Sequence, residues 1–178
     1  MTIRIADNLD LESIMEIYSY AREQMKRSGN PTQWGNDRPA PETILEDIRR
    51  KQAYVIVEQN RICGVFVFFT GIEPTYRLIE NGAWLNDASY GTIHRIAGNG
   101  QVKGILAEAL SFCEKQIDNI RVDTHDDNKI MQHLLARYGY QKCGYIYVED
   151  GSRRIAYQKV VGTSSGLHSE CTHDFSVD

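Results

Sequence analysis

Residues 90–106 read YGTIHRIAGNGQVKGIL and combine a strand, a glycine-rich turn and the start of a helix. Residues 90–97 are rich in β-formers, three glycines fall within the next seven residues, and apolar residues recur at helical spacing from residue 105. Glycine lets the backbone approach a ligand closely, and the free N–H groups at the start of a helix favour an anion. The stretch therefore predicts an anion cradle with a diphosphate as its natural occupant, although a simple helix-capping turn has the same composition.

Residue spacing and turn signals predict seven strands and four helices along the chain. Strands are predicted at residues 2–6, 54–58, 62–70, 90–97, 120–124, 142–149 and 154–160, and helices at 11–26, 41–50, from 105 onwards and at 128–138. The order of elements is β-α-α-β-β-β-α-β-α-β-β. It predicts one α/β domain over residues 1–161, followed at 162–178 by a flexible tail without Lys or Arg.

The composition of the chain limits the class of protein. Its 178 residues are 42% hydrophobic and 25% charged, with a formal net charge of −4. These values predict a globular domain and argue against nucleic-acid or membrane partners, which favour a basic surface. The longest apolar run, residues 62–69, is far shorter than the roughly 20 residues that span a bilayer. Because the N-terminus also lacks an apolar signal region, we expect a cytoplasmic protein.

The cysteines and histidines do not follow the spacing of a metal site. The cysteines are Cys63, Cys113, Cys143 and Cys171. They are widely scattered and form no C-x-x-C pair, so free thiols are expected. His94, Asp123 and His125 also fit no known ligand pattern, so we expect no metal.

Two motifs resemble those of the GNAT family of N-acetyltransferases. Residues 101–106, QVKGIL, resemble that family's Q/R-x-x-G-x-G/A signature for acetyl-CoA, with Leu106 in place of the final Gly or Ala. Asn128, followed by Gly139 and Tyr140, resembles its second motif, in which an Asn opens a helix that ends in Gly-Phe or Gly-Tyr. The motifs occur in the family's order, and the resemblance covers about residues 2–160.

The resemblance implies a GNAT fold, which is a single mixed sheet of six or seven strands with helices on both faces. Acetyl-CoA would lie in a V-shaped splay between the two central parallel strands. Backbone groups of Ile96 and Ala97 would pair with its pantetheine arm, and Asn128 would hydrogen-bond near that arm or the thioester. The backbone amides that would hold the pyrophosphate are those of Gln101, Val102, Lys103, Gly104, Ile105 and Leu106.

The transfer of an acetyl group to an amine needs a neutral amine and is helped by an acid that protonates the leaving thiolate. Many family members place a tyrosine acid seven residues after the motif Asn, where this chain has Leu135. Tyr138 is the nearby candidate acid. His94, on the strand that would line the splay, is a candidate base, and Glu73 is an alternative base or an anchor for the amine. Each of these three side chains also has a purely structural interpretation.

Trp34 is the candidate wall of the acceptor pocket. It ends the stretch GNPTQW at residues 29–34, which resembles a loop of a bacterial branch of GNAT proteins. The tryptophan could equally serve only to pin its loop.

Taken together, these features predict an enzyme that transfers an acetyl group from acetyl-CoA directly to a primary amine of a small molecule. No G-x-S-x-G turn or Cys-His signature indicates a covalent intermediate. Two alternatives stay open: an acyl-CoA-binding sensor or interaction module with little turnover, and an interaction protein without a CoA site. The edge of the final hairpin could pair two copies as a homodimer.

Overall fold

The computed structural model describes residues 1–162. The strands are β1 Thr2–Ile5, β2 Ala53–Glu58, β3 Arg61–Thr70, β4 Gly91–Gly98, β5 Asn119–Thr124, β6 Gln141–Tyr147 and β7 Arg153–Val160. The helices are α1 Leu11–Arg27, α2 Pro41–Arg49, α3 Ile105–Glu114 and α4 Lys129–Arg137, with short 3-10 turns at Asn8–Asp10 and Pro74–Tyr76. The predicted order of strands and α-helices is confirmed, and the predicted tail beyond Gly162 lies outside the described residues.

The helix ends follow local signals in the sequence. Pro41 occupies the first turn of α2, where its fixed φ suits a helix and its missing N–H is not needed. The Asn128 side chain accepts a hydrogen bond from the Met131 amide and so caps α4. Gly29 and Gly139 follow α1 and α4 with φ of 85° and 83°, which an L side chain rarely adopts.

All seven strands form one mixed sheet in the order β1-β2-β3-β4-β5-β7-β6, and helices cover both of its faces as predicted. On one face, Ile14 and Tyr18 of α1 and Ile44 of α2 pack against Val55 and Val65. The core of the other face, beneath α3 and α4, includes Phe66, Ile93, Ala109, Leu110, Val122 and Leu135. Since side chains alternate between the faces, His94 and Asp123 point away from the α3 side, unlike their neighbours Ile93 and Val122.

The two central parallel strands separate after a short paired region. Residues 91–93 of β4 pair with residues 120–122 of β5, and β4 then continues to Gly98 without a further β5 partner among residues 1–162. On its other side β4 bulges, because Val67 pairs with His94 and Val65 with Ala97. Arg95, in this bulge, has φ of 52°. The predicted V-shaped splay is therefore present from His94 onwards.

Part of the outer edge of β6 is covered by the chain itself. Glu80 and Tyr145 exchange backbone hydrogen bonds, each of 2.9 Å. A β-carbon added to Gly82 would lie 1.9 Å from the Cys143 carbonyl oxygen. A dimer built on this hairpin would therefore have to use the remaining part of the edge.

The described residues include three of the four cysteines. Cys63, Cys113 and Cys143 are buried free thiols, whereas Cys171 lies outside the described residues. Over residues 1–162, no helix combines the length and the apolar character needed to cross a membrane.

Candidate active site in the splay

The glycine-rich turn forms one side of a cavity of about 300 Å³. Gly98, Gly100 and Gly104 line it together with Tyr20 of α1 and Tyr138, which follows α4. Gly104 precedes α3 with φ of 87°, and no side chain of the described part caps this helix. The first amides of α3 therefore start at a wall of the cavity, as an anion cradle requires.

Tyr20 reaches this turn from α1. A β-carbon at Gly100 would lie 2.0 Å from the Tyr20 hydroxyl oxygen, so the close approach needs glycine at that position. A β-carbon at Gly98 would lie 3.1 Å from the Ile105 side chain, so this second glycine lets α3 start close to the sheet. Glycine backbone, an uncapped helix start and a cavity of this size fit the diphosphate of acetyl-CoA.

Some of the residues predicted to bind the cofactor line this cavity, and others do not. Those that line it are Val102, Gly104, Ile105 and Leu106. Lys103 is exposed, and the Gln101 amide donates to the Asn99 side chain at 3.0 Å. Leu106 is partly buried against the α3-side core, so its bulk is accommodated at the position where the family signature has Gly or Ala.

Asn128, Ile96 and Ala97 lie on the elements that border the splay. Ala97 is buried against the α1 side of the sheet, and Ile96 packs against the α3 side. Asn128 donates from its side-chain nitrogen to the Gln33 side-chain oxygen at 3.0 Å, while its own oxygen caps α4. This asparagine thus ties the start of α4 to the Trp34 loop, and a contact with pantetheine stays a prediction.

His94 and Glu73, which the sequence suggested separately, are in contact. His94 Nε2 lies 3.1 Å from Glu73 Oε2. The other carboxylate oxygen of Glu73 accepts from the Thr75 amide at 3.1 Å and from its hydroxyl at 2.9 Å. Burial alone would raise the pKa of Glu73, but the imidazole and the Thr75 donors lower that pKa to about 2. Glu73 is therefore an ionised, hydrogen-bonded carboxylate.

Asp123 faces the other ring nitrogen of His94. Its Oδ1 lies 3.6 Å from His94 Nδ1 and accepts a hydrogen bond from the Tyr76 hydroxyl at 2.7 Å. Its Oδ2 lies 4.0 Å from Arg154 Nε. Burial, together with Asp123, raises the pKa of Tyr76 well above its ordinary value, so this phenol stays protonated and donates. The side chains of Glu73, His94 and Asp123 are 14%, 18% and 10% exposed, so water has little access to them.

An arginine holds the irregular segment that carries Glu73 and Tyr76. The guanidinium of Arg121 lies 4.1 Å from the ring centroid of Trp84 and 3.9 Å from that of Tyr90. Trp84 Nε1 donates to the Tyr76 carbonyl, and the Glu73 amide donates to the Tyr90 hydroxyl, both at 2.9 Å. This long-range contact fixes residues 71–90 over the sheet and so positions the carboxylate beside His94.

Tyr138 and Trp34, the other predicted site residues, contact different parts of the structure. Leu135 is fully buried in the α3-side core, and Tyr138 is partly buried at the glycine-turn cavity. The Trp34 ring packs edge-on against Tyr18, with centroids 5.4 Å apart. Because the Tyr18 hydroxyl donates to the Arg95 carbonyl at 2.8 Å, the Trp34 loop is linked to the β4 bulge. The roles of Tyr138 and Trp34 in catalysis or binding stay predictions.

Tyr20, Tyr76 and Gln33 are not among the site residues predicted from the sequence. Asp123 enters the sequence analysis only as a possible metal ligand. One signal could have found Asp123, because it is the only acid of β5 and stands near the carboxyl end of a parallel strand. Tyr20, Tyr76 and Gln33 carry no such signal. Within residues 1–162, no three His, Cys, Asp or Glu side chains are grouped so as to hold a metal ion.

Known structures share this architecture. A GNAT-family acetyltransferase from Streptococcus agalactiae 2603 is 32% identical, with a TM-score of 0.81 over 89% of this chain and 94% of its own. One from Listeria monocytogenes 4b F2365 is 23% identical, with a TM-score of 0.65 over 90% of this chain and 94% of its own. A Salmonella typhimurium protein solved with its cofactor acetyl-CoA is 16% identical, with a TM-score of 0.59 over 94% and 98%.

No protein-family model and no curated protein matches the sequence. The structural matches below 25% identity establish the fold alone. The Streptococcus agalactiae relative adds sequence identity along nearly the whole domain, and this agrees with the splay and with the two motifs that border it. On that evidence, the chain belongs to the GNAT family of acetyltransferases.

Proposed function

We propose that this protein transfers an acetyl group from acetyl-CoA directly to a primary amine of a small molecule. The observation that carries the proposal is the shielded cluster of His94, Glu73 and Asp123 at the point where β4 and β5 separate. It places a titratable imidazole between two carboxylates beside the gap in which a thioester would lie.

The residues around the gap have distinct roles in this proposal. The glycine turn and the first amides of α3 would hold the diphosphate, and Ile96 and Ala97 would present backbone groups to the pantetheine arm. Asn128 would contact the arm from the α4 side. When bound, acetyl-CoA supplies an activated thioester whose thiolate is a good leaving group.

The protein's part in the chemistry is positioning and proton transfer. His94 takes one proton from the entering ammonium, which leaves a neutral amine with a free electron pair. The nitrogen–carbon bond then forms, the carbon–sulfur bond breaks, and the thiolate leaves with the electrons of that bond. One proton ends on the thiol and one is released to solvent. Tyr138, the predicted donor to the thiolate, lines the cavity assigned here to the diphosphate, so its role as an acid stays a prediction.

The charges around the cluster favour an acceptor without a carboxylate. Glu73 and Asp123 face the imidazole, Arg154 lies beside Asp123, and Arg95 forms two hydrogen bonds to Asp47 at 2.8 and 2.9 Å. An ammonium would be attracted to the two carboxylates, whereas an acceptor carboxylate would be repelled. Amines such as polyamines therefore suit the site better than amino acids do.

The test starts with calorimetric titration of acetyl-CoA into the purified protein, followed by measurement of thiol release with matched acceptors. Each amino acid is paired with the amine that lacks its carboxylate: ornithine with putrescine, lysine with cadaverine, arginine with agmatine. We expect acetyl-CoA binding, amine-dependent release, and a higher kcat/KM for the amine of each pair. Absence of acetyl-CoA binding would overturn the proposal, and equal rates within every pair would overturn the preferred acceptor class.

A second function is favoured by Leu135, which is fully buried where many family members carry the tyrosine acid. A protein without that acid could bind an acyl-CoA as a sensor or interaction module. Acetyl-CoA binding without thiol release, for every amine tested, would support this alternative.

A further inference from the structure

We infer that Glu73 is a positioning residue that holds the proton of the neutral His94 ring on Nε2, so that Nδ1, facing Asp123, takes the proton of the acceptor amine. The acceptor ammonium would then bind beside Nδ1 and the Asp123 carboxylate and donate to both. This inference rests on the proposed function and assigns the proton transfer to one atom.

The contacts of Glu73 determine which nitrogen carries the proton. Its Oε1 accepts from both donors of Thr75, and its Oε2 lies 3.1 Å from His94 Nε2. An ionised carboxylate can only accept hydrogen bonds, so the nitrogen that faces it must be N–H. In a neutral imidazole the other nitrogen, Nδ1, then carries the lone pair.

The environment of Nδ1 fits a basic nitrogen. Asp123 Oδ1 lies 3.6 Å away, which is too long for a hydrogen bond to Nδ1. That oxygen instead accepts from the Tyr76 hydroxyl at 2.7 Å. An ammonium nitrogen beside this gap could donate to Nδ1 and to Asp123 at once.

Strands β4 and β5 separate directly after the residues that precede His94 and Asp123. His94 and Asp123 are the residues that directly follow Ile93 and Val122, the last parallel pair of β4 and β5. Their side chains lie on the sheet face opposite α3, next to the splay. An amine that enters here would therefore meet both groups where the strands diverge.

Neighbouring rings and charges keep the imidazole in this orientation. The ring centroids of Phe69 and Tyr76 lie 6.0 and 5.9 Å from that of His94, and a flip would have to pass these rings. The charged groups around the imidazole are Glu73 before the 3-10 turn, Asp123 on β5, Arg154 on β7 and the Asp47–Arg95 pair of α2 and β4. Both carboxylates that face the ring would stabilise the imidazolium after it accepts the proton.

The direct test is a measurement of the His94 tautomer, which does not require the protein to be an active enzyme. Long-range ¹H–¹⁵N correlation spectra of protein labelled at histidine nitrogen report which ring nitrogen is protonated. The His94 signal is assigned by its loss in His94→Gln. In the neutral ring we expect the Nε2–H form, and in Glu73→Gln a mixture of both forms, because an amide can present either its oxygen or its NH₂ group to the ring. Glu80→Gln, in the same segment and directed to the Tyr147 hydroxyl, should leave the tautomer unchanged.

A kinetic measurement adds a readout that a merely structural residue would not change. Glu73→Gln should lower kcat by roughly 100-fold and alter the pH dependence of kcat, because molecules in the wrong tautomer lack the lone pair that takes the proton. Its affinity for acetyl-CoA should match that of the wild type. Asp123→Asn should mainly raise the KM of the amine.

The outcomes separate this inference from the proposed function. A proton on Nδ1, or a doubly protonated ring throughout the neutral range, would overturn the inference even in an active enzyme. An Nε2–H tautomer in a protein that releases no thiol would overturn the proposed function instead. If Glu73→Gln does not fold, a proton on Nδ1 in the wild type would still overturn the inference.

Discussion

Glu73 is a partly buried carboxylate that accepts three hydrogen bonds, two from Thr75 and one from His94. Burial opposes its ionisation, but these partners lower its pKa from 4.5 to about 2. Because the pKa is lower in the folded state, the unfolded chain binds this proton first as the pH falls. The stabilisation from ionised Glu73 is therefore complete above pH 4.5 and is lost as the pH falls towards about 2.

Glu73→Gln tests this dependence through stability alone. The variant should be less stable than the wild type near neutral pH, and the difference in the free energy of unfolding should shrink as the solution is acidified to about pH 3. Denaturant unfolding at a series of pH values measures both curves. A constant difference at all pH values would show that the carboxylate does not titrate in this way.

Single residues also show where prediction from sequence stops. His94 and Glu73 could be selected by type and position, but their 3.1 Å contact could not, because residues 74–93 between them include an irregular segment. The place of Leu135 in the core follows from helical periodicity. The partners of Asp123 depend on packing between distant parts of the chain, which no local pattern encodes.

The turn before α3 provides a prediction about cofactor binding. Gly104→Leu puts a bulky side chain at a position with φ of 87°, on the wall of the 300 Å³ cavity. Strain in the left-handed region costs about 1–2 kcal/mol, and the side chain competes with the diphosphate. We expect the calorimetric affinity for acetyl-CoA to fall by roughly 100-fold, a change of about 2.7 kcal/mol in binding free energy.

Gly151→Leu is the matched control for that variant. Gly151 also has positive φ, 76°, but it lies in the β6–β7 turn, where no described atom is within 4 Å of an added β-carbon. It should lose similar stability and keep its affinity for acetyl-CoA. Equal loss of affinity in both variants would mean that strain, and not the cradle, weakens binding.

The contact between α2 and the β4 bulge can be tested with two adjacent acids. Asp47 is buried and accepts two hydrogen bonds from Arg95, whereas Glu46 pairs with Arg49 and Arg50 at the surface. Asp47→Ala leaves Arg95 without its partner in a largely shielded site and should lower the free energy of unfolding by about 2 kcal/mol. Glu46→Ala should change it little. Chemical denaturation measures both, and equal effects would contradict this difference in burial.

The elements themselves were largely predictable because their signals are local. Runs of β-forming residues mark the strands, helical spacing marks α1 to α4, and glycines end α1 and α4. The arrangement of residues 71–90 was not predictable, since it depends on Arg121 between the rings of Trp84 and Tyr90. That segment carries Glu73 and Tyr76, so the strands and helices predicted from the sequence did not include this part of the site.

Within residues 1–162 the sheet has two halves, β1 to β4 and β5 to β7, which are joined by three consecutive residue pairs at Gly91, Thr92 and Ile93. Beyond this junction, β4 faces the gap in which the proposed pantetheine arm would bind as an added strand. Ligand binding should therefore reduce opening of the backbone along the splayed part of β4 and change the distant β2 strand much less.

Hydrogen–deuterium exchange at saturating acetyl-CoA measures this effect. Peptides that contain residues 94–98 should exchange more slowly with acetyl-CoA than without it, whereas peptides from residues 53–58 should be nearly unchanged. Gly104→Leu, at the same concentration of acetyl-CoA, should show weaker protection in proportion to its lower occupancy. If calorimetry confirms binding in the wild type but residues 94–98 exchange at the same rate, the cofactor does not lie along β4, and Ile96 and Ala97 are not its partners.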